Sequence, residues 1–556
     1  MKLSKSFIGL IIVSLVFYLY ATNSFSIFQS NSALEIVDFS IESSPNKIDI
    51  PSNPFRNPYY GDLHVHTKYS FDAYIFGVTA TPYDAYKFAT GQAIKHPLGF
   101  DMKLREPLDF YAVTDHGFYM GMIENYADTS SKMSKNEWTI PMHNLNRPEN
   151  VTVESTGQRA DLFSSVVRQA IVIPHPWWHP NYIGAWLTNN IQLALKSFDY
   201  DVHKSAWADV ANAAEEFNDP GKFTTFIGYE FTTSTDVEGG NLHRNVIFNS
   251  SNAPIRPWTR IDSINPEDLW TWMDNLRDKG VDSLAMPHNS NGSNGQMFEV
   301  ETFRGNPINE EYAEKRMRNE PVVEMTQVKG TSDTHPLLSP DDEWADFEIM
   351  DKRVGSRPPT YSMPQGGYVR DAYLRGLTLD WEGRGNPYKF GLIGSSDTHT
   401  GAGAYDENNY WSKVGVLDGT DMGRGSVPLS QDRIDQLTQY SIDFNQPVST
   451  KQIEGKTYAD VGFDQWSASG LAVAWAEENT RDSIFQAFKR KETFATTGTR
   501  IAVRFFAGFD MESIDLNSED MVEDAYAKGV TMGADLFSQG NQTPQFLVWA
   551  QRDKLG

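Results

Sequence analysis

The tightest constraint on this chain is the stretch Tyr60-Gly61-Asp62-Leu63-His64-Val65-His66-Thr67. On an extended strand alternate side chains leave the same face, so His64 and His66 point together while Leu63 and Val65 pack the other way. Two imidazoles then meet at one strand end, where they can grip a transition metal, and Asp72 in the following loop can reach the same mouth. A single His-x-His also occurs for packing alone, so the rest of the chain has to supply further ligands.

It does so repeatedly. The apolar run at 108–113 leads straight into Thr114-Asp115-His116-Gly117, and the run at 223–229 ends at Glu230. His243 precedes the apolar strand 245–248, and the strand 283–286 delivers Pro287-His288-Asn289. A strand follows at 322–326, and another at 389–394 ends in Ser395-Ser396-Asp397-Thr398-His399. Short apolar runs alternating with amphipathic helices read as buried parallel strands in β/α units. Helices are expected at 79–89, 203–217, 265–279, 368–376 and 482–491. The best punctuated is 265–279, with Asn265 as N-cap, Pro266 in the first turn, Gly280 closing it, and Leu269, Trp272, Met273 and Leu276 as a core stripe. Residues 119–201 read as an insertion at the pocket rim, carrying His175, Trp177, Trp178 and His179. Residues 401–465 read as loop, and 493–506 as one strand. The segment 545–550 reads as a strand with no later partner, which suggests a truncated C-terminus.

In a β/α barrel the C-terminal strand ends converge on one face, so residues far apart in sequence become neighbours. Each strand-end residue has a bland alternative taken singly: a structural histidine, or a turn in which Asp115 caps Gly117. Their recurrence at successive strand ends favours one shared site.

Composition narrows the chemistry. The 556 residues contain no cysteine, so any metal must be held by His, Asp and Glu. A net charge of -25 argues against a nucleic-acid partner, which needs a broad basic surface to replace its counterions. It leaves an anionic small molecule possible, because metal ions supply local positive charge. Lys2 and Lys5 precede an uncharged run from Phe7 to Tyr20, which reads as an export signal or an uncleaved anchor within residues 1–25, with a tether over 26–57. The protein is therefore expected to be exported, periplasmic or extracellular. Asn150 and Asn249 sit in glycosylation sequons, relevant only in a eukaryotic secretory pathway.

The motifs Gly-Asp-Leu-His64-Val-His66-Thr, Thr-Asp115-His116-Gly, Gly-Tyr-Glu230, Pro-His288-Asn and Gly-Ser-Ser-Asp397-Thr-His399 span most of residues 58–400. They resemble the PHP (polymerase and histidinol phosphatase) superfamily, and specifically its DUF3604 branch. The resemblance implies an α/β fold, a distorted seven-stranded β/α barrel over 58–500 with a partial β segment at 501–556. It implies two or three divalent ions (zinc, manganese or iron) at one mouth and metal-dependent hydrolysis of a small phosphate ester. Carried over by position, His64, His66, Glu230 and Asp397 would hold one ion. Glu230 would bridge to a second with His243 and His288, and Asp72, His116 and His399 would take the third. His175 or His203 compete for the place of His243. Asp72, a harder ligand that favours manganese or iron, stands where many superfamily members have histidine. Asp115, Glu230 and Asp397 are the candidate catalytic groups, with Asp115 orienting an imidazole or accepting a proton. Arg244, Lys329 and His335 are candidate substrate clamps. The alternatives are an amidohydrolase-like enzyme, in which a carbamylated lysine typically stands where this chain has Glu230, and a non-catalytic surface protein that holds metal and ligand.

Overall fold

The computed structural model describes residues 33–41, 50–170, 198–235, 239–347, 349–353, 360–444, 448, 450–460, 466, 468–538 and 540–555. The expected signal or anchor and the 171–197 part of the insertion, with His175, Trp177, Trp178 and His179, lie outside them. Among the described residues no helix is long and apolar enough to cross a membrane.

A mixed sheet of five strands carries the first ligands. In its centre β1 (Asn57–Asp62) runs parallel to β2 (Phe110–Tyr111), with Gly61 opposite Phe110, and β2 runs parallel to β3 (Thr224–Thr225). Gly61 is obligatory there, since a Cβ would stand 2.3 Å from the Phe110 ring. A second sheet is antiparallel throughout: β4 (Gly228–Phe231), β5 (Arg244–Phe248) and β6 (Ser283–Pro287), in the order β6-β5-β4. In a third, β7 (Val322–Gln327) lies between β8 (Gly330–Thr331), antiparallel, and β9 (Gly391–Gly394), parallel. Single bridges join the pieces, Val65 to Thr398 and His116 to Glu230, both parallel. Among the described residues no single sheet closes into a barrel; the sheets hand over to one another at these bridges.

The other side of the first sheet is made by β10 (Leu471–Ala476), antiparallel to β1, and β11 (Thr493–Thr496). The strand expected over 493–506 is two strands in different sheets. Gly498 breaks it with φ 105°, a left-handed turn that an L side chain rarely adopts. Beyond it β12 (Ala502–Gly508) lies between β13 (Gly529–Thr531) and β14 (Gln545–Gln551), so the last strand does have a partner, and it precedes β14 in the chain.

The helices follow the expected amphipathic pattern. Pro266–Arg277 starts at Asn265, whose side chain accepts from the Glu267 N–H at 2.9 Å, and buries Leu269, Trp272, Met273 and Leu276. Each such side chain contributes about 1.5–3 kcal/mol by leaving water. The neighbours run Pro82–Ala89, Tyr200–Phe217, Val369–Trp381 and Arg481–Lys489. Residues 401–465 hold more order than expected, with a helix at Gln431–Phe444 and a hairpin of Thr450–Ile453 with Lys456–Ala459. That helix is mostly solvated, with Ile434, Leu437 and Tyr440 half-buried on one face. Within the expected tether, Ile36–Asp38 pairs antiparallel with Asn252–Pro254.

Candidate metal centre

The strand ends bring nine predicted ligands to one buried place. His64 and His66 follow β1 in extended backbone held by the His66 N–H to the Thr398 carbonyl, 2.8 Å. Asp62 anchors both flanks, since its Oδ1 accepts from the His64 N–H at 3.0 Å and the Ser396 N–H at 3.1 Å. The Tyr405 hydroxyl donates to its other oxygen. His116 follows β2, Glu230 lies in β4, His243 stands just before β5 and His288 just after β6. Asp397 and His399 follow β9, and Asp397 turns its carboxylate inward from a left-handed backbone with φ 54°. Such strain costs of order 1–3 kcal/mol and persists only where surroundings enforce it. Asp72 lies in the first turn of the short helix Phe71–Ile75.

Glu230 is the hub. Its Oε2 lies 3.5 Å from His64 Nε2, 3.4 Å from His66 Nε2 and 3.0 Å from His116 Nδ1. Its Oε1 lies 2.5 Å from His243 Nδ1 and 3.5 Å from His288 Nε2. Asp397 Oδ1 sits 3.3 Å from His64 Nε2, 3.4 Å from His66 Nε2 and 3.5 Å from His399 Nδ1. Asp72 Oδ2 joins His116 Nε2 at 3.1 Å to His399 Nε2 at 3.0 Å.

Two carboxylates outside this inner ring set the imidazoles. Asp115 accepts the Ser70 hydroxyl at 2.7 Å, and Ser70 Oγ stands 2.8 Å from His66 Nδ1. A hydroxyl that gives its proton to Asp115 must accept from His66, which fixes Nδ1 as the protonated nitrogen and leaves the Nε2 lone pair toward Glu230 and Asp397. Thr67 donates to Asp115 through both its N–H and its hydroxyl. Asp115 is therefore an orienting group held by the backbone. On the opposite side Glu324, in β7, places Oε2 2.8 Å from His64 Nδ1 and takes Gln327 Nε2 on Oε1, also at 2.8 Å.

Electrostatics couple the imidazoles tightly to the carboxylates. Burial disfavours charge on His64, yet the carboxylates of Asp397 and Glu324 hold its pKa well above the ordinary value. His116 is raised to about 10 against burial by Glu230 and Asp72, while burial, His399 and His116 drive His66 well below the usual range. Despite burial, Glu230 and Asp72 are held far below the ordinary carboxylate range by imidazoles, and Asp397 chiefly by Lys413 and His64. Four carboxylates, Asp72, Glu230, Glu324 and Asp397, thus face the amines of Lys329 and Lys413 and the charged imidazoles of His64 and His116, and a bound cation would take the place of the imidazole protons. His64 Nε2, His66 Nε2 and both ring nitrogens of His288 are buried without a hydrogen-bond partner. Nitrogen and oxygen donors so arranged suit a divalent transition metal. Among the described residues four groups have ligand atoms close enough to hold one: His66/His116/His399, His64/His66/Asp397, His64/His288/Glu324 and His116/Glu230/His243.

Not every predicted residue joins. Arg244 follows His243 on a strand and so faces the other way, where its Nε pairs with Glu320 at 2.8 Å. His335 is partly exposed and packs against Tyr368, with ring centroids 5.5 Å apart. His203 donates Nε2–H to the Gly117 carbonyl at 2.8 Å and stands behind the site. Lys329 is buried, and the carboxylates of Glu324 and Asp397 act on its amine. The sequence reading passed over Glu324 and Lys413. Glu324 had a signal, a lone carboxylate in the apolar run Val322-Val323-Glu324-Met325; Lys413 had none.

The molecule is thus an α/β protein whose strand ends gather a buried histidine and carboxylate cluster able to bind metal. It belongs to the DUF3604 family, whose model, described as "Protein of unknown function (DUF3604)", matches residues 53–556. No curated protein and no solved structure matches the chain.

Proposed function

We propose that the chain is an exported, metal-dependent hydrolase of the PHP type that cleaves small phosphate esters. The observation that carries the reading is the convergence of six histidines, His64, His66, His116, His243, His288 and His399, on Glu230, Asp397 and Asp72. The strand order also supports it: β1, β2, β4, β5, β6, β7 and β9 follow one another through ladders, bridges and close approach, and Val65 to Thr398 returns to the start. Seven strands in such a ring are what a distorted PHP barrel requires.

Divalent ions in such a site supply Lewis acidity, acidifying water towards neutrality and screening charge on phosphoryl oxygens. The chain's own groups do the rest. Glu230, with one oxygen toward His64, His66 and His116 and the other toward His243 and His288, would serve as a ligand shared by both groups of histidines. Asp115, through Ser70, keeps the His66 lone pair turned inward. Ser70 is occupied in that relay and the chain has no cysteine, so water is the nucleophile this site can offer.

Metal analysis together with p-nitrophenyl phosphate mono- and diester assays, on wild type and Glu230→Gln, tests the reading. Loss of both bound metal and hydrolysis is expected in the variant. Full activity with unchanged metal would remove Glu230 from its role. A metal-loaded wild type that binds ligand without turnover would make this a surface binding protein.

A further inference from the structure

Exposure locates the mouth of the cluster. The side chains of His64, His66, His288 and Glu230 are at most 1% exposed, whereas Asp72 is 14% and His243 17% exposed. Lys413, at 10%, stands on this open side with Nζ 2.9 Å from Asp397 Oδ2. Asp397 is thereby divided: Oδ1 turns to the histidines and Oδ2 to the amine.

Lys329 is the second amine. Its Nζ donates to Ser332 Oγ at 3.2 Å, and Ser332 in turn donates to Asn291 at 3.0 Å. An ammonium has three N–H donors. Among the described residues Lys329 donates to one hydroxyl, and Lys413 to one carboxylate oxygen with the Trp466 ring 5.6 Å from its Nζ, so both keep N–H donors to spare. A buried ammonium seldom sits with so little compensation unless a ligand completes it. Burial pulls Lys329 down to about 8, against Glu324 and Asp397, with Lys413 near enough to add repulsion.

We infer that Lys329 and Lys413 form an oxyanion subsite beside the metal cluster that selects phosphate monoesters over diesters. This rests on the hydrolase reading and names its substrate class. A phosphate monoester dianion offers the two ammonium groups unesterified oxygens that carry two negative charges. A diester brings a single negative charge and replaces one of the oxygens the amines would hold by an esterified one.

The test uses the full metal-loaded chain and three probes: inorganic phosphate by calorimetry, p-nitrophenyl phosphate and bis-p-nitrophenyl phosphate by turnover. Lys329→Met is expected to weaken phosphate binding and raise the monoester KM by about tenfold to a hundredfold, the loss of one charge-assisted hydrogen bond. Metal content should stay unchanged, the diester KM should move less than about threefold, and Lys329→Arg should restore part of the binding. Lys413→Met, on the other flank, should show the same selectivity change if Lys329→Met does not fold. Unaltered phosphate affinity and unaltered mono- to diester preference in a folded variant overturn the subsite while leaving the hydrolase intact. Lysine-dependent phosphate binding by a wild type that hydrolyses neither ester overturns the hydrolase and keeps the subsite. Absence of both binding and turnover removes both.

Discussion

His64 Nδ1 and Glu324 Oε2 stand 2.8 Å apart, both buried, with the opposite nitrogen of the same ring aimed at Glu230 and Asp397. A carboxylate behind a ligand imidazole holds its tautomer and raises its basicity. Glu324→Gln keeps the volume and loses the charge, so metal affinity should fall by about tenfold to a hundredfold. Competition with a chromophoric chelator measures it; unchanged affinity would make Glu324 a structural partner only.

Ser70 carries the equivalent load for His66, linking it to Asp115 through 2.8 and 2.7 Å contacts. Ser70→Ala leaves Asp115 with its two Thr67 donors but orphans His66 Nδ1. The expected cost is about 1–3 kcal/mol in stability without metal, and weaker metal binding as well. Urea unfolding of the chelated protein and a metal titration report the two effects separately.

Arg244 is predicted to matter for folding and not for substrate. Its guanidinium is committed to Glu320, which it shares with Arg316 at 3.1 Å, inside the protein. Removing one partner of a buried ion pair costs about 3–5 kcal/mol. Arg244→Met should lower the melting temperature and leave the KM of whatever remains folded within about twofold of wild type; a large KM increase with normal stability would return Arg244 to the substrate side.

His96 gives the chain an acid sensitivity away from the cluster. Burial, helped by Arg424, drives its pKa down to about 3; Nδ1 accepts from the Leu98 N–H at 3.1 Å and the ring stacks on Phe100. The unfolded chain binds that proton near pH 6.5, so the stability from neutral His96 is complete above pH 6.5 and is lost as pH falls toward 3. Stability rises with pH across this window, by at most about 1.4 kcal/mol per unit for this one group. His96→Gln should flatten the pH dependence of urea unfolding between pH 4 and 6.5 relative to wild type.

The residues of the candidate cluster were legible because few residue types can hold a metal, and buried strand ends make them conspicuous against apolar sequence. What escaped was everything that acts by arrangement. Ser70 and Lys413 look ordinary one at a time, Glu324 stands out only as a lone carboxylate in an apolar run, and only the approach of β1, β7 and the 395–413 segment gives them partners. Arg244 was misread against a rule the sequence already contained, since a strand neighbour of a ligand histidine must face away. The strand Leu471–Ala476 was missed because three alanines in six residues carry little strand preference, although it pairs along β1. The split at Gly498 could have been suspected from Thr-Thr-Gly-Thr, a turn signature inside an apolar run.

Asp62 ties the backbone of His64 to that of Ser396, 332 residues later. At a synthesis rate of about 5–20 residues per second, the first histidines leave the ribosome roughly 20–70 seconds before that tie can form. Assembly of the candidate cage is consequently a late act in the life of the molecule, postponed until the chain has been made as far as Ser396. A nascent or prematurely ended chain would carry loose imidazoles and no cage.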